Sequence, residues 1–416
     1  MFGEKRVSFS RFVSIVGFRP RRIAPPCQQV YNSKDCFQSH YLRQGCRSVT
    51  TSTINDSLQD IRQKVINGER LSFEDGVRLL QSNRLLEIGM MADMVRERIN
   101  GNRVYFIVNT HLNYTNVCYL DCKLCAFGLK ADDPRSYTLS LEQLEQKFIG
   151  MKDKGFTELH IVGGVNAKLP FSYYEDMIKL AKKHLPDIHV QAFTAVEVDY
   201  IARVSKLSVE ETIERLRAAG LGSILGGGGE IFDPEIRAII SGHKTDSDRW
   251  FAIHRKTHSL GMKSNASILY GHIEQPEHVV DHLIRLRELQ DETGGFQAFF
   301  GFAFHPTNTK LAEEFKLTGE TTGYYDLKML AVARLMLDNI PHIRAFWMAI
   351  GLKMAQVALG FGADDLDGTV MEEQIIHAAG NAATQMTPKA TFIEMIREAG
   401  RIPTERDTLY HILKTY

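Results

Sequence analysis

The chain has 416 residues, 44% of them hydrophobic and 24% charged, which is enough apolar material for the core of one large domain or two. Its 50 basic residues balance 50 acidic ones, so no global field draws in nucleic acid or an anionic membrane surface. No apolar run approaches the ~20 residues that cross a bilayer, which excludes a membrane-spanning reading.

Residues 1–52 differ in composition from everything after them. Arg6, Arg11, Arg19, Arg21, Arg22, Arg43 and Arg47 stand against only Glu4 and Asp35, among many Ser, Thr and Gln. An Arg-rich, Ser-rich, acid-poor leader reads as a transit peptide, cleaved near Arg47 to Thr51 and directed first to the mitochondrion, with the plastid as alternative. The other reading is a disordered tail on a cytoplasmic protein. Residues 53–100 form a helical preface: Leu58, Ile61 and Val65, then Leu71 ahead of Phe73 to Leu80, then Leu85 to Val95, recur at helical spacing. Met90, Met91 and Met94 read as core.

After Gly101 short apolar runs alternate with longer helical stretches. Strands are expected at Val104–Thr110, Glu158–Val162, Val190–Thr194, Ser223–Leu225, Ser264–Leu269, Ala298–Phe304, Arg344–Ala349 and Val357–Gly360. Helices are expected at Leu141–Lys154, Ser172–Leu185, Val209–Ala219, Ser247–Leu260, Pro276–Thr293 and Tyr324–Leu337. This alternation means an α/β fold with a parallel sheet, and eight strands fit a (β/α)8 TIM-type barrel over 101–370, with a C-terminal helical segment over 371–416 packed on it. In such a barrel the reactive residues sit on loops at the C-terminal ends of the strands.

The loop after the first strand, Asn113 to Phe127, carries Cys118, Cys122 and Cys125 as C-x3-C-x2-C. Thiolates this close can meet one iron–sulfur cluster from a single loop, and three of them leave the fourth iron of a four-iron cube open to a substrate. A zinc site completed by a residue such as His111, or thiols that only pack, are the alternatives. Val162-Gly163-Gly164-Val165-Asn166 follows the second strand; paired glycines there let backbone approach a ligand closely, and also mark plain turns. Glu197 lies just beyond the third strand. Gly226 to Gly229, with Glu230 after them, follow the fourth; no G-x-x-x-x-G-K-[ST] frame makes them a phosphate loop, so close approach to a flat or bulky ligand is the better reading. The fifth and sixth strands bring Ser264, Asn265 and His272, and then His305.

The C-x3-C-x2-C loop after an apolar strand resembles the radical S-adenosylmethionine superfamily. That resemblance implies a [4Fe–4S] cluster on the three cysteines, with the amino acid end of S-adenosylmethionine on the open iron and Gly163 and Gly164 beside it. It also implies reductive cleavage to a 5′-deoxyadenosyl radical, with the electron drawn from a donor such as a flavodoxin or ferredoxin. Phe193-Thr194-Ala195-Val196-Glu197, Gly226 to Phe232, Ser264 to His272, Asp291 to Phe299 and Phe304-His305-Pro306 together resemble the aminofutalosine synthases of menaquinone biosynthesis, from about Leu71 to the C-terminus.

Such an enzyme adds the radical to 3-[(1-carboxyvinyl)oxy]benzoate, so S-adenosylmethionine is a co-substrate and 6-amino-6-deoxyfutalosine, methionine and carbon dioxide or bicarbonate are products. The resemblance places Glu197 on S-adenosylmethionine and makes Glu197, His272 and His305 the catalytic candidates. Candidates to hold the substrate's two carboxylates are Gly227, Gly228, Ser264, Asn265, His272, His305 and Arg344. A dehypoxanthine futalosine cyclase of similar fold, which abstracts hydrogen, is the rival reading. An electron-transfer or cluster-carrier protein is the alternative from another class.

Overall fold

The computed structural model describes residues 57–370, 372–381 and 386–416; the leader expected over 1–52 lies outside them. Three helices come first: α1 (Gln59–Asn67), α2 (Phe73–Gln81) and α3 (Leu85–Asn100). Ser72 caps α2 by accepting from Asp75 N while the Asp75 carboxylate accepts from Ser72 N, which satisfies two donors left open at a helix start. Their apolar stripe, with Ile61, Leu79, Ile88 and Met91, is buried. Of the three methionines expected in the core, only Met91 is there. Met90 is 66% exposed and Met94 38% exposed, because positions four apart share one helix face and here that face is the outer one.

The chain then alternates through β1 (Arg103–Ile107), β2 (Asn109–Leu112), α4 (Leu141–Met151), β3 (Glu158–Ile161), α5 (Phe171–His184), β4 (His189–Thr194), α6 (Ala195–Ser205), α7 (Val209–Ala219) and β5 (Leu221–Leu225). Next come α8 (Pro234–Ser241), α9 (Ser247–Ser259), β6 (Lys263–Tyr270), α10 (Pro276–Thr293), β7 (Phe296–Ala303), α11 (Lys310–Phe315), α12 (Gly323–Met336) and β8 (His342–Arg344). The chain ends with α13 (Trp347–Ile350), α14 (Leu352–Ala358), β9 (Asp365–Gly368), α15 (Ile375–Ala378), α16 (Lys389–Glu398), β10 (Ile402–Arg406) and β11 (Ile412–Thr415). Among the described residues no helix is long and apolar enough to cross a membrane.

All eleven strands join one sheet, ordered β11-β10-β1-β9-β8-β7-β6-β5-β4-β3-β2, parallel except at β10–β11. The expected first strand is one chain run broken at Val108. Its first half pairs with β9 at Tyr105↔Asp365, and its second half with β3 at Asn109↔Glu158. The sheet therefore curls back onto the run that starts it, as an α/β barrel requires.

Three boundaries differ from the sequence expectation. The apolar run from Ala345 to Ile350 turns helical from Trp347, and α14 takes the first half of the strand expected at Val357–Gly360, whose second half is a turn; short apolar runs do not declare their period. The last barrel strand is instead Asp365-Leu366-Asp367-Gly368, which local propensity rejects. It holds because each of its charges is paired inside: Asp365 with fully buried Arg406 at 2.6 Å, and Asp367 with Arg344 at 3.0 Å. Just ahead of it, Asp364 meets Arg334 at 2.6 Å.

The C-terminal segment expected to be helical holds α15 and α16 but ends in two strands. β10 pairs in parallel with β1, and the turn after it closes the floor of the lumen. There Tyr410 stacks on His342 with ring centroids 3.7 Å apart, Arg406 lies 4.1 Å over the Tyr410 ring, and Gln297 donates to Thr408 O at 3.2 Å.

Removing one member of a fully buried ion pair leaves the other without a counter-charge, at about 3–5 kcal/mol. Arg406→Met should therefore lower the urea midpoint of the full chain strongly, and Arg406→Lys, which keeps the charge, should lower it less. Equal midpoints for the two variants would show that the pair does not hold the floor.

Candidate active site

Loops at the C-terminal ends of the strands surround a cavity of about 300 Å³. The cysteine loop leaves β2 and is pinned on both sides. Cys118 N donates to Leu129 O and Tyr119 N to Val165 O, each at 2.8 Å. Cys118, Cys122 and Cys125 all line the cavity and are free thiols. A Cβ placed on Gly128 would lie 3.6 Å from the Cys118 sulfur and 3.8 Å from that of Cys125, so the two thiols flank one point. Each also accepts a backbone N–H at 3.4 Å, Cys118 from Val165 and Cys125 from Gly128.

Burial pushes the Cys118 thiol up and the Cys122 thiol to about 11, against the pull of the Lys244 charge on Cys122. Metal ligation takes such thiols as thiolates and releases their protons, so three cavity-facing cysteines on one loop are a donor set that fits a cluster. Among the described residues no three His, Cys, Asp or Glu side chains converge on a point where a single metal ion would sit, and the His111 ring is stacked on His160.

The glycine pair after β3 is required by that loop. A Cβ on Gly164 would lie 2.3 Å from Val117 O, a backbone atom that cannot give way, and one on Gly163 2.7 Å from the Tyr114 ring. Glu197 joins these parts. As the third residue of α6 its Oε2 accepts from Thr194 N at 2.8 Å and Thr194 Oγ1 at 2.9 Å. Its Oε1 accepts from Tyr114 Oη at 3.0 Å and Gly163 N at 3.1 Å. Burial raises its carboxyl to about 7 in spite of these donors. All four of its acceptor positions are occupied, so Glu197 stands in the cavity wall and orients the glycine pair rather than offering a free carboxylate.

The four glycines after β5 answer to the protein more than to a ligand. A Cβ on Gly226 would lie 2.5 Å from Asn265 O, and Gly228 has φ +86 with Val196 Cγ2 2.6 Å from its Cβ position. Buried Arg237 ties the loop by donating to Gly228 O at 3.0 Å and Gly229 O at 2.5 Å. Only Gly227 and Gly228 of the run face the cavity, with Glu230 and Lys244, an ion pair that sets a buried cation close to Cys122.

The remaining candidates divide. Arg344 lines the cavity, held by Asp367 and by Tyr410 Oη at 3.1 Å, and its Nη2 has no protein partner. His305 also lines it, but Nε2 lies 3.1 Å from Ala349 O and Nδ1 3.3 Å from Glu320. His272 is outside the lining: Nε2 contacts Leu269 O at 3.1 Å and Nδ1 accepts Ile273 N at 2.7 Å, which uses both nitrogens structurally. Ser264 opens β6 at the opposite end of the barrel, bound by His254 at 2.9 Å and His258 at 2.7 Å. Asn265 follows it, buried and away from the cavity.

Sequence reasoning passed over Lys244, Arg237 and His160, and raised His111, the stacked partner of His160 in the cavity lining, only as a zinc ligand. A period-two reading of Asn109-Thr110-His111-Leu112 and Glu158-Leu159-His160-Ile161 would have found the histidines, since it puts them on the face opposite the outward Leu112, Leu159 and Ile161.

Two family models match end to end: the Radical SAM superfamily over residues 112–286 and the CofH/MqnC C-terminal region over 293–416. The chain is 41% identical to an aminodeoxyfutalosine synthase of Thermus thermophilus, over 86% of this chain and 96% of that protein. It is 42% identical to one of Streptomyces coelicolor, over 86% and 94%. The chain belongs to the radical SAM superfamily. A cyclic dehypoxanthine futalosine synthase of Halalkalibacterium halodurans is 36% identical over 86% of the chain and 96% of that protein. Methylornithine synthase shares the fold with TM-score 0.63 at 18% identity, covering 82% of this chain and 97% of that one. Membership in the superfamily implies a [4Fe–4S] cluster and S-adenosylmethionine, consistent with three cavity-facing thiols in this radical SAM chain.

Because its Cβ would meet backbone, Gly164→Ala should push the cysteine loop off β3. The anaerobically reconstituted variant is expected to keep its far-ultraviolet dichroism while losing most of its iron and sulfide. Full cluster content would show that the loop does not depend on this contact.

Proposed function

We propose that this radical SAM chain is an aminodeoxyfutalosine synthase, which joins the adenosyl part of S-adenosylmethionine to 3-[(1-carboxyvinyl)oxy]benzoate and releases methionine and carbon dioxide or bicarbonate. The observation that carries the reading is the 41–42% identity to two such synthases over nearly their whole lengths, against 36% to the cyclase. Cys118, Cys122 and Cys125 would hold the cluster, which when bound would supply the electron for reductive cleavage of S-adenosylmethionine. A one-electron donor of the flavodoxin or ferredoxin kind serves it.

The chain's own residues provide three things. The glycine pair, aligned by Glu197, gives the methionyl group a backbone surface beside the cysteines. The closed floor under the lumen keeps water and stray hydrogen donors from a primary radical. Arg344, with an unpartnered Nη2 and the apolar walls of Phe300, Phe302 and Phe346 beside it, offers a charge-assisted anchor to a carboxylate on an aromatic ring. Addition to the double bond itself requires no general base.

Turnover of adenine-labelled S-adenosylmethionine with the enolpyruvyl benzoate tests the chemistry. Most label is expected in a nucleoside joined to the benzoate skeleton, with methionine formed in equal amount, and Cys122→Ala should abolish both. Label found only in 5′-deoxyadenosine, with cluster intact, would favour the hydrogen-abstracting cyclase.

Residues 1–52 act in this reading as an import signal, mitochondrial by first choice, as their seven arginines against two acids suggest. A fluorescent protein carrying only this leader is expected to co-localise with a mitochondrial marker, and a diffuse cytosolic signal would reject the assignment.

A further inference from the structure

His111 and His160 face each other in register across β2 and β3, rings 4.4 Å apart and 8° from parallel. One position below them on the same face, Asn109 Nδ2 donates to Glu158 Oε1 at 3.2 Å. His111 is buried, whereas His160 is only partly buried and lines the cavity with no hydrogen bond to any described residue. An imidazole clamped by stacking on one ring and unpartnered at both nitrogens is placed for a ligand, since a polar group in a packed interior otherwise finds a partner. Its neighbour across the lumen, Arg344, is 5% exposed and also carries an unpartnered nitrogen, Nη2.

The acids lining the same cavity are already engaged. Asp367 binds Arg344, and Glu373 accepts from Ile375 N at 2.7 Å and Ile376 N at 3.1 Å. Burial, and then the Arg344 charge, hold His160 down at about 3, so the ring is neutral and presents one N–H donor without adding charge.

We infer that His160 is a further substrate-binding residue, which together with Arg344 receives the ring carboxylate of an aryl acid, while His111 positions it by stacking. The inference rests on the reading of Arg344 as a carboxylate anchor. An anionic head between a guanidinium fork and an imidazole N–H, with the apolar remainder along Phe300, Phe302 and Phe346, matches an aromatic carboxylate better than a phosphate or a sugar, because those walls offer a polar ring no partners.

The test compares 3-[(1-carboxyvinyl)oxy]benzoate with its ring carboxamide by calorimetry, using anaerobically reconstituted full chain with S-adenosylmethionine and no reductant, so that nothing turns over. His160→Leu is expected to weaken the acid about tenfold or more, the size of one hydrogen bond to a charged acceptor, and the carboxamide less than twofold. His160→Gln, which keeps an N–H donor, should recover most of the loss, and the S-adenosylmethionine affinity should stay unchanged in both variants. Equal losses for acid and carboxamide, or no loss for either, would overturn the assignment and leave His160 a packing residue. If the wild type binds the acid with this His160-dependent preference but forms no adenosylated product, the synthase reading fails and the aryl carboxylate site stands. If it binds neither ligand, both fail.

Discussion

Three aspartates in four consecutive positions, Asp364, Asp365 and Asp367, each hold a buried arginine, and most of the site depends on those pairs. Asp364 takes Arg334 from α12 and the first residues of β8, fixing the helix layer to the sheet. Asp365 takes Arg406 and with it the C-terminal strands that floor the lumen. Asp367 takes Arg344 and leaves one guanidinium nitrogen to the cavity. Charges in a dry interior cost several kcal/mol each unless matched. The matching therefore makes closure of the barrel, sealing of its floor and placement of one ligand-facing cation a single structural event.

At the other end of the lumen the organising constraint is steric. The cysteine loop lies on the segment after β3 so closely that only glycine fits at position 164, and Glu197 binds the start of α6 to both the glycine pair and Tyr114. The two ends have opposite character, with thiols, backbone donors and the Lys244–Glu230 pair at the mouth, and aromatic walls with Arg344 and the stacked histidines deeper in. In the proposed reaction a radical formed at the mouth would meet an acceptor whose acidic head is held below it. Such positioning is where enzymes gain most for bimolecular steps, since fixing two reactants in line removes much of the entropic barrier.

Residues that share one motif take different roles in the fold. His272 and Ser264 belong to the family-like stretch from Ser264 to His272, yet one is spent on backbone around its own turn and the other on two histidines at the far end of the strand. A resemblance in a stretch of chain thus reports the shape of the strand and turn as much as its chemistry, and which member touches ligand is a matter of the strand's face and end.

The strand-helix alternation, the C-x3-C-x2-C loop and the placing of glycine pairs after strands are local patterns, and the sequence by itself determined them: a barrel and a three-thiol loop at the C-terminal ends of its strands. It did not determine the last strand or the C-terminal pair, because Asp365 to Gly368 and Ile402 to Arg406 are strands only once arginine and aspartate distant in sequence are buried together. Nor did it distinguish Glu197 as an orienting carboxylate from a free one, or His160 from His272. Both distinctions turn on how many hydrogen-bond partners surround a buried group, and those partners come from segments up to 83 residues away, as with Tyr114 and Glu197. Local patterns are set by neighbours in sequence, whereas the satisfaction of buried polar atoms is set by neighbours in space, and only the tertiary structure decided that.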